Sequence, residues 1–408
     1  MTDRTLAITA MGRRGEGLAE HEGRAVFVPF TLPGEEVSVA GHGGRLDLTE
    51  VLTPSLDRIA PFCKYYGACG GCQLQHWREE PYRAWKASLI EQALAGRGIG
   101  AKVRALIDAH GAGRRRAGIH VQRREKIVTA GFMAARTHNL LDIDRCPILE
   151  PALGRAFDIA RAIGARLGDC DVALTATATG LDVSVKAERQ IVEREHAKLA
   201  ALITELKLAR LGVNGEVIAT AVIPRITMGR ADVAIPPGGF LQATAAGEAA
   251  LAQLVMDGMG KVKTAADLFC GVGPLALRLA ERCKVEAYDN DRAAIAALSA
   301  AVKSTPGLKP LVAAARDLFR EPLVANEMKG FDAVVFDPPR AGAEAQARQL
   351  AKSKVKTVVA VSCDAASFAR DAEVLIGGGY SLHTLFLEKS KVTLSEARVD
   401  TGHSSRLA

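Results

Sequence analysis

The chain has 408 residues, which is too long for one ordinary domain, and 48% of them are hydrophobic while 24% are charged. This composition is typical of a folded globular protein and excludes disorder as the main state. Lysine and arginine outnumber aspartate and glutamate by 53 to 46, a mild excess that permits a polyanionic partner without requiring one. No apolar run approaches the roughly 20 residues that a membrane span needs, and no export signal precedes the first β-like run. We therefore expect a cytoplasmic protein that has no membrane partner.

Residues 1–58 predict a small β unit. Short β-rich stretches alternate there with glycine-rich turns, and turn signals at this spacing indicate a small barrel of the OB type. Arg13 and Arg14 precede a glycine and form a flexible basic loop, which fits a solvated hairpin and an RNA contact equally well. We assign residues 1–58 to a first domain.

Residues 59–236 predict a second, mixed α/β domain. The spacing of Ile90 and Leu94 with their apolar neighbours predicts a helix over residues 80–97. The basic stretch Arg114–Arg116 is typical of a charged strand surface, with an RNA-facing patch as the alternative.

Residues 237–408 predict a third domain, in which strands alternate with helices or turns. This alternation predicts an α/β fold with a Rossmann-like, parallel-rich sheet that has helices on both faces. The predicted strands are 265–269, 284–288, 309–314, 331–336 and 357–361.

A glycine-rich cysteine run opens the second domain. Cys63, Cys69 and Cys72 have the spacing C-x5-C-x2-C, and the glycines among them allow three thiolates to converge. Cys146, which a proline follows, is the candidate fourth ligand. A reducing compartment disfavours structural disulfides, so metal binding is the leading explanation for the run. Four thiolates suit zinc or an iron–sulfur cluster, and the distant fourth cysteine before proline favours the cluster.

The segment Asp267–Pro274 predicts a ligand-binding turn between a strand and a helix, because Gly271 and Gly273 allow a ligand to approach the backbone closely. It lacks the GxGxxG pattern and the Walker lysine, and its D-x-F-C-G-x-G sequence fits the turn that holds the methionine portion of S-adenosylmethionine. Asp289 ends the next strand, where a carboxylate can accept hydrogen bonds from both ribose hydroxyls. Asp317 follows the third strand and is predicted to lie near the adenine.

A second loop, Asp337-Pro-Pro-Arg340, follows the strand predicted at 331–336. A polar residue in this position lies at the carboxyl end of its strand, where open α/β sheets bind their ligands. Enzymes that methylate exocyclic amines usually place an aromatic residue after such a Pro-Pro pair. Arg340 occupies that position here and indicates a different target atom.

Cys363 follows the apolar strand predicted at 357–361 and shares this edge of the sheet. A thiolate is a strong nucleophile, whereas a buried structural cysteine is the alternative. Carbon 5 of uracil is too weak a nucleophile to accept a methyl group unaided. Attack of a thiolate on carbon 6 generates an enolate and activates carbon 5, so this chemistry needs a cysteine, a methyl donor, an orienting carboxylate and a general base.

These motifs together resemble the uracil-5 RNA methyltransferase family, and specifically its iron–sulfur bacterial 23S rRNA branch with an N-terminal TRAM domain. The resemblance covers residues 5–385. It implies an S-adenosylmethionine-dependent methyltransferase with Cys363 as nucleophile. The implied ligands of a [4Fe-4S] cluster are Cys63, Cys69, Cys72 and Cys146. The implied contacts to the methyl donor are Gln242, Phe269, Asp289 and Asp337, the last between donor and target.

The C-terminal tail departs from the family pattern. The family closes with a His-x-Glu segment that supplies the general base, and this sequence has none. Glu396 lies at nearly the same distance after Cys363 and is the candidate base, with Glu388 as the second candidate.

The resemblance implies that the partner is RNA and that the protein is a monomer. We expect methylation of carbon 5 of a uridine in 23S rRNA, with tRNA as the alternative substrate. The aberrant tail also allows a different class, an RNA-binding protein with impaired catalysis. A zinc ion in place of the cluster is the remaining alternative.

Overall fold

The computed structural model describes residues 4–388 and 395–401, and for residues 387, 388 and 395–401 it describes the backbone alone. The N-terminal strands are β1 (Arg4–Ala7), β2 (Ala10–Met11), β3 (Glu16–His21), β4 (Arg24–Pro29), β5 (Glu36–Ala40) and β6 (Asp47–Thr53). They form two antiparallel sheets, β1-β5-β6 and β2-β3-β4. Both sheets contribute to one small core, which includes Val28 and Val39. The assignment of this unit to the OB or TRAM type stays a prediction.

The central unit is a seven-stranded sheet with two helices. Its elements are β8 (Arg116–Arg124), β9 (Ile127–Met133), β10 (Leu140–Asp142), α2 (Ala156–Leu167), β11 (Cys170–Thr177), β12 (Gly180–Ala187), α3 (Glu193–Leu206), β13 (Leu208–Val213) and β14 (Glu216–Thr220). The strand order is β10-β9-β8-β11-β12-β13-β14, and only β12 and β13 pair in parallel. Burial alternates along β11, so one face of the sheet packs on the helices while the other is more exposed.

The C-terminal unit contains the predicted parallel sheet. Its elements are α4 (Ala245–Met259), β17 (Thr264–Leu268), α5 (Ala276–Leu279), β18 (Lys284–Asp289), α6 (Arg292–Ser304), β19 (Leu311–Ala315), β20 (Ala333–Phe336), α7 (Glu344–Leu350), β21 (Thr357–Ser362), α8 (Ala365–Gly377), β22 (Tyr380–Glu388) and β23 (Ser395–Thr401). The five strands from β17 to β21 pair in parallel. Each residue of β20 and β21 is buried, as expected for strands covered on both faces.

Two segments that the sequence assigns to the second domain pack with the third unit instead. The helix predicted over 80–97 is confirmed as α1 (Glu79–Ala95), and its buried Ile90 and Leu94 join the core beneath α8. The strand β7 (Ala105–Ile107) pairs with β22 and completes an eight-stranded sheet, β19-β18-β17-β20-β21-β23-β22-β7.

The hairpin of β15 (Arg225–Met228) and β16 (Ala231–Ala234) likewise shares its core with α4. Its residues lie close in sequence to both domains, so only the burial of its apolar side chains decides where it packs. Within the described part of the chain, no helix combines the length and the apolar character needed to cross a membrane.

The order of the parallel strands places a crevice at the centre of the sheet. β18 and β19 follow β17 on one side, whereas β20 and β21 lie on its other side. Connections from β17 and β20 therefore leave in opposite directions at the carboxyl edge. Open α/β sheets bind ligands at such a switch point, and the predicted site residues follow these strands.

Candidate active site and cysteine cavity

One cavity of 490 Å³ opens at this carboxyl edge. Its lining contains all the predicted donor contacts and the predicted nucleophile, namely Gln242, Phe269, Asp289, Asp337 and Cys363. The sequence places these residues on separate loops, and the fold brings them to one surface. Whether each of them performs its predicted role stays a prediction.

The turn after β17 lines the cavity and has positive φ angles, which residues with a side chain rarely adopt. Gly271 and Gly273 have φ angles of 54° and 90°, and Phe269 has a φ of 63°. A Cβ atom at Gly273 would overlap the Cδ1 atom of Leu298 on α6. Positive φ is costly for an aromatic residue, so the surrounding fold holds Phe269 in a strained conformation at the cavity wall.

The carboxylate of Asp289 is fixed by backbone groups. Its Oδ2 atom accepts a hydrogen bond from the Gly271 N–H at 2.8 Å, and its Oδ1 atom accepts one from the Asp291 N–H at 2.8 Å. Asp291 itself caps α6 by accepting from the N–H groups of Ala293 and Ala294. The side chain at the end of β18 is thereby tied to the turn after β17, and each oxygen keeps a lone pair for a hydroxyl group.

Asp337 contacts the predicted donor contact and lines the same cavity as the predicted nucleophile. Gln242 Nε2 donates a hydrogen bond to Asp337 Oδ2 at 3.3 Å. The pKa of the Cys363 thiol is raised, first by burial and then by the negative charges of Asp337 and Asp364, while Arg340 opposes the rise. The thiol and the carboxylate therefore lie close enough to interact electrostatically.

Arg340 reaches across the mouth of the cavity to the loop after β21. Its Nε atom lies 3.4 Å from Oδ2 of Asp364, and its side chain is 85% exposed. Asp364 caps α8 by accepting from the N–H groups of Ala366 and Ser367. This cap fixes the turn that carries Cys363 at the strand end.

Asp267 is a fully buried carboxylate at the end of β17. Neither of its oxygens has a side-chain or backbone partner that meets the hydrogen-bond geometry among the described residues. Burial raises the pKa of Asp267 well above its usual range, and Asp337 and Asp289 raise it further. The neutral, protonated form of Asp267 is therefore favoured at this edge of the sheet.

Other lining residues include one that was predicted and two that were not. Asp317, predicted near the adenine, lines the cavity, and its Oδ1 atom accepts from the Phe319 N–H at 3.0 Å. Phe319 also lines the cavity, and its ring lies 5.3 Å from that of Phe269. The position of Phe319 just after the third strand could have identified it, whereas Glu248, which lies in the helix α4, carries no such signal.

A second cavity, of 210 Å³, contains all four predicted cluster ligands in its lining. Cys63, Cys69 and Cys72 come from the loop before α1, and Cys146 comes from the segment after β10. The pKa of Cys146 is raised by burial and then by the other three thiols, so the four groups interact.

Backbone contacts hold the cysteine loop against the central sheet. Cys69 forms an isolated antiparallel bridge with Ala134, and the Gly70 N–H donates to the Met133 carbonyl at 3.0 Å. Among the described residues, no three His, Cys, Asp or Glu side chains converge as ligands of a single metal ion. The four cysteines instead line the wall of the 210 Å³ cavity, and their role as ligands of a cluster stays a prediction.

The two candidate bases lie on the last two strands. Ser395 and Glu396 of β23 pair with Ser362 and Val361 of β21, so the backbone of Glu396 lies near the strand end that carries Cys363. Glu388 ends β22. The side chains of both glutamates lie outside the described part of the structure.

Comparison with known proteins supports the same chemistry. A family model described as a methyltransferase small domain matches residues 237–361. An uncharacterized RNA methyltransferase of Brucella suis is 44% identical over 381 residues, which cover 92% of each chain. The 23S rRNA (uracil(1939)-C(5))-methyltransferase RlmD of Chromohalobacter salexigens is 34% identical, over 92% of this chain and 84% of its own. The chain belongs to the uracil-5 RNA methyltransferase family. The prediction of an S-adenosylmethionine-dependent RNA methyltransferase is thereby confirmed.

A solved structure extends the family likeness to the fold. The crystal structure of Pyrococcus abyssi tRNA (uracil-54, C5)-methyltransferase with S-adenosyl-L-homocysteine matches with a TM-score of 0.75 at 20% identity. The match covers 98% of this chain and 100% of that one. The Rossmann-like methyltransferase domain predicted from the sequence is therefore confirmed.

Proposed function

We propose that this family member methylates carbon 5 of a uridine in RNA through a covalent adduct with Cys363. The observation that carries the proposal is the shared cavity, in which Cys363 and Asp337 lie beside the turn predicted to hold the methyl donor. Gln242, Phe269, Asp289 and Asp337 are the proposed donor contacts. S-adenosylmethionine supplies the methyl group as a sulfonium electrophile, and the carboxylates of Asp289 and Asp337 in the cavity lining suit its positive charge.

The proposed mechanism follows from the needs of carbon 5. The Cys363 thiolate forms a bond to carbon 6, and the electron pair of the C5–C6 double bond moves toward the carbonyl oxygen as an enolate. Carbon 5 then attacks the methyl carbon, whose bond to sulfur breaks, and S-adenosylhomocysteine leaves. A base takes the proton from carbon 5, the double bond re-forms, and the Cys363 thiolate is expelled.

Glu396 is the proposed base. Its backbone lies on the strand that pairs with β21, close to the strand end before Cys363, which supports this choice. Glu388, at the end of β22, is the second candidate. If neither glutamate serves, the adduct would form but would not resolve, and the protein would act as an RNA-binding protein with impaired catalysis.

We propose 23S rRNA as the substrate, with tRNA as the alternative. The relative from Chromohalobacter salexigens is named for 23S rRNA and is 34% identical over nearly the whole chain. The tRNA enzyme of Pyrococcus abyssi is only 20% identical and supports the fold alone.

We also propose that Cys63, Cys69, Cys72 and Cys146 hold a [4Fe-4S] cluster. Four thiols spaced around one cavity fit a group several ångströms across, whereas a zinc ion needs sulfurs about 2.3 Å from a single point. The cluster would tie the loop before α1 to the central sheet.

The test is a tritium-release assay with protein purified without oxygen. The substrate is 23S rRNA labelled with tritium at carbon 5 of uridine, with labelled tRNA in parallel and a denaturing gel for covalent adduct. Steady release that depends on S-adenosylmethionine is the expected result, and the RNA that supports it identifies the substrate. A persistent adduct without release would assign the defect to the base. Neither signal with either RNA would overturn the proposal.

A further inference from the structure

An ion triad joins two walls of the 490 Å³ cavity that the proposed function assigns to the methyl donor, here called the donor cavity. Glu248, in the first turn of α4, lies between Arg115 before β8 and Arg278 on α5. Its Oε2 atom is 2.6 Å from Arg115 Nη2, and its Oε1 atom is 3.1 Å from Arg278 Nη2. The side chains of Glu248 and Arg115 are 4% and 5% exposed. The prediction of a charged strand surface is therefore wrong for Arg115.

Each arginine also binds a carbonyl group of one cavity wall. Arg115 Nε donates to the Gln242 carbonyl at 3.0 Å, and the Arg115 N–H donates to the Ala243 carbonyl at 2.9 Å. Arg278 Nη1 donates to the Pro274 carbonyl at 2.6 Å, in the glycine-rich turn. Glu248 thus connects the loop of Gln242 with the turn that follows β17.

Glu248 lines the cavity, yet both carboxylate oxygens are engaged by arginines. It therefore acts on the cavity through the groups it holds and not as a direct ligand. Each carboxylate oxygen contacts one guanidinium nitrogen, so Glu248 bridges the two arginines through two charge-assisted hydrogen bonds, which suits a positioning role.

We propose that Glu248, with Arg115 and Arg278, is a positioning residue that sets the separation of the Gln242 loop and the Pro274 turn for S-adenosylmethionine. The inference rests on the proposed function, because it assumes that these two walls bind the donor. It assigns to Arg115, a residue of the segment before the central sheet, a role in donor binding.

The central sheet contains a matched control. Arg210 and Asp182 form a two-point ion pair at 2.8 and 2.6 Å, and each side chain is 8% exposed. Neither residue lines the donor cavity or the cysteine cavity. Breaking this pair removes a buried carboxylate charge just as breaking the triad does, without touching the cavity walls.

The test compares Glu248→Gln, Arg115→Lys and Asp182→Asn with wild type. Calorimetry gives the Kd for S-adenosylmethionine, filter binding gives the Kd for 23S rRNA, and a melting curve gives Tm. Arg115→Lys keeps the positive charge but loses the Nε contact to Gln242, so it tests positioning in a folded protein if Glu248→Gln is too unstable.

Both changes release contacts that hold the two walls in place, and a small misplacement of binding groups is costly, so we expect the donor Kd to rise at least about tenfold in Glu248→Gln and Arg115→Lys. The RNA Kd of both variants should stay within about twofold of wild type, as should the donor Kd of Asp182→Asn despite its lower Tm, because distant sites act independently. Wild-type donor affinity in folded Arg115→Lys would overturn the inference. Failure of wild type to bind the donor would instead overturn the proposed function.

Discussion

In the proposed mechanism the thiol of Cys363 must lose its proton before it attacks, and its surroundings disfavour that loss. Burial raises its pKa, Asp337 and Asp364 raise it further, and a backbone hydrogen bond and the positive charge of Arg340 oppose the rise. At neutral pH the thiol form is therefore favoured in the free protein. The fraction of Cys363 in the reactive thiolate form increases as the pH rises toward this raised pKa.

We accordingly expect the rate of adduct formation to increase by up to about tenfold per pH unit while the pH stays below the thiol pKa. Arg340→Gln should move the profile to higher pH, because it removes the one positive charge that favours the thiolate. Single-turnover rates between pH 6 and pH 9.5 measure both profiles. Arg348→Gln, which breaks the exposed pair with Glu344, is the control and should leave the profile in place. An unshifted profile for Arg340→Gln would contradict the electrostatic account.

Replacement of the nucleophile separates chemistry from donor binding. Cys363→Ala should lower methyl transfer by at least about a thousandfold, the scale of loss seen when an essential nucleophile is removed. The donor Kd should stay close to wild type, because the proposed donor contacts lie on other loops. Calorimetry and methyl incorporation into RNA provide the two readouts. Cys283→Ala, at a buried thiol of the core, should keep its activity, and normal turnover by Cys363→Ala would exclude the thiolate mechanism.

At the scale of elements, the turn after β17 depends on packing against α6. Gly273 combines a φ of 90° with direct contact to Leu298, so Gly273→Ala must displace the turn or the helix. We expect a loss of about 1–3 kcal/mol in unfolding free energy and weaker donor binding. Thermal melting and calorimetry check these effects. Gly330→Ala is the control, since a Cβ there meets nothing within 4 Å, and an equal loss in both variants would refute the packing argument.

The sequence predicts the parallel strands well because β20 and β21 are buried on both faces and form continuous apolar runs. It does not predict β7, a strand of three residues whose partner β22 lies far along the chain. The sequence also does not predict the burial of Arg115, for a related reason. Its partner Glu248 lies in a later helix, and no local pattern shows that two distant charges will meet inside the protein.

For the candidate site, the sequence likewise predicts which residues lie at the carboxyl edge of the sheet but not all the contacts between them. Asp289 ends β18, Asp337 and Cys363 each follow an apolar strand, and the edge rule for parallel sheets brings such positions together. The hydrogen bond from Gln242 to Asp337 depends instead on how the loop before α4 packs, which only the structure shows.

At the scale of the whole molecule, the cysteine cavity joins two separate segments of chain. Cys72→Ser should remove most of the bound iron and the broad visible absorbance of a cluster, because thiolates are the ligands that clusters require. Tm should fall as well, since the loop loses its tie to the central sheet. Iron analysis and absorbance of anaerobic protein measure these effects. Cys170→Ser, at a buried thiol outside the cavity, should retain its iron, and full iron content in Cys72→Ser would exclude the cluster.

The pairing of β7 with β22 has a consequence for synthesis on the ribosome. Ala105 meets Phe386 across the sheet, and the whole central unit is made between them. Synthesis adds roughly 5–20 residues per second, so α8 and β22 emerge on the order of tens of seconds after α1 and β7. During that interval Ile90 and Leu94, fully buried in the finished molecule, lack α8 and β22. The nascent chain therefore exposes an apolar helix face that a chaperone can bind until translation nears its end.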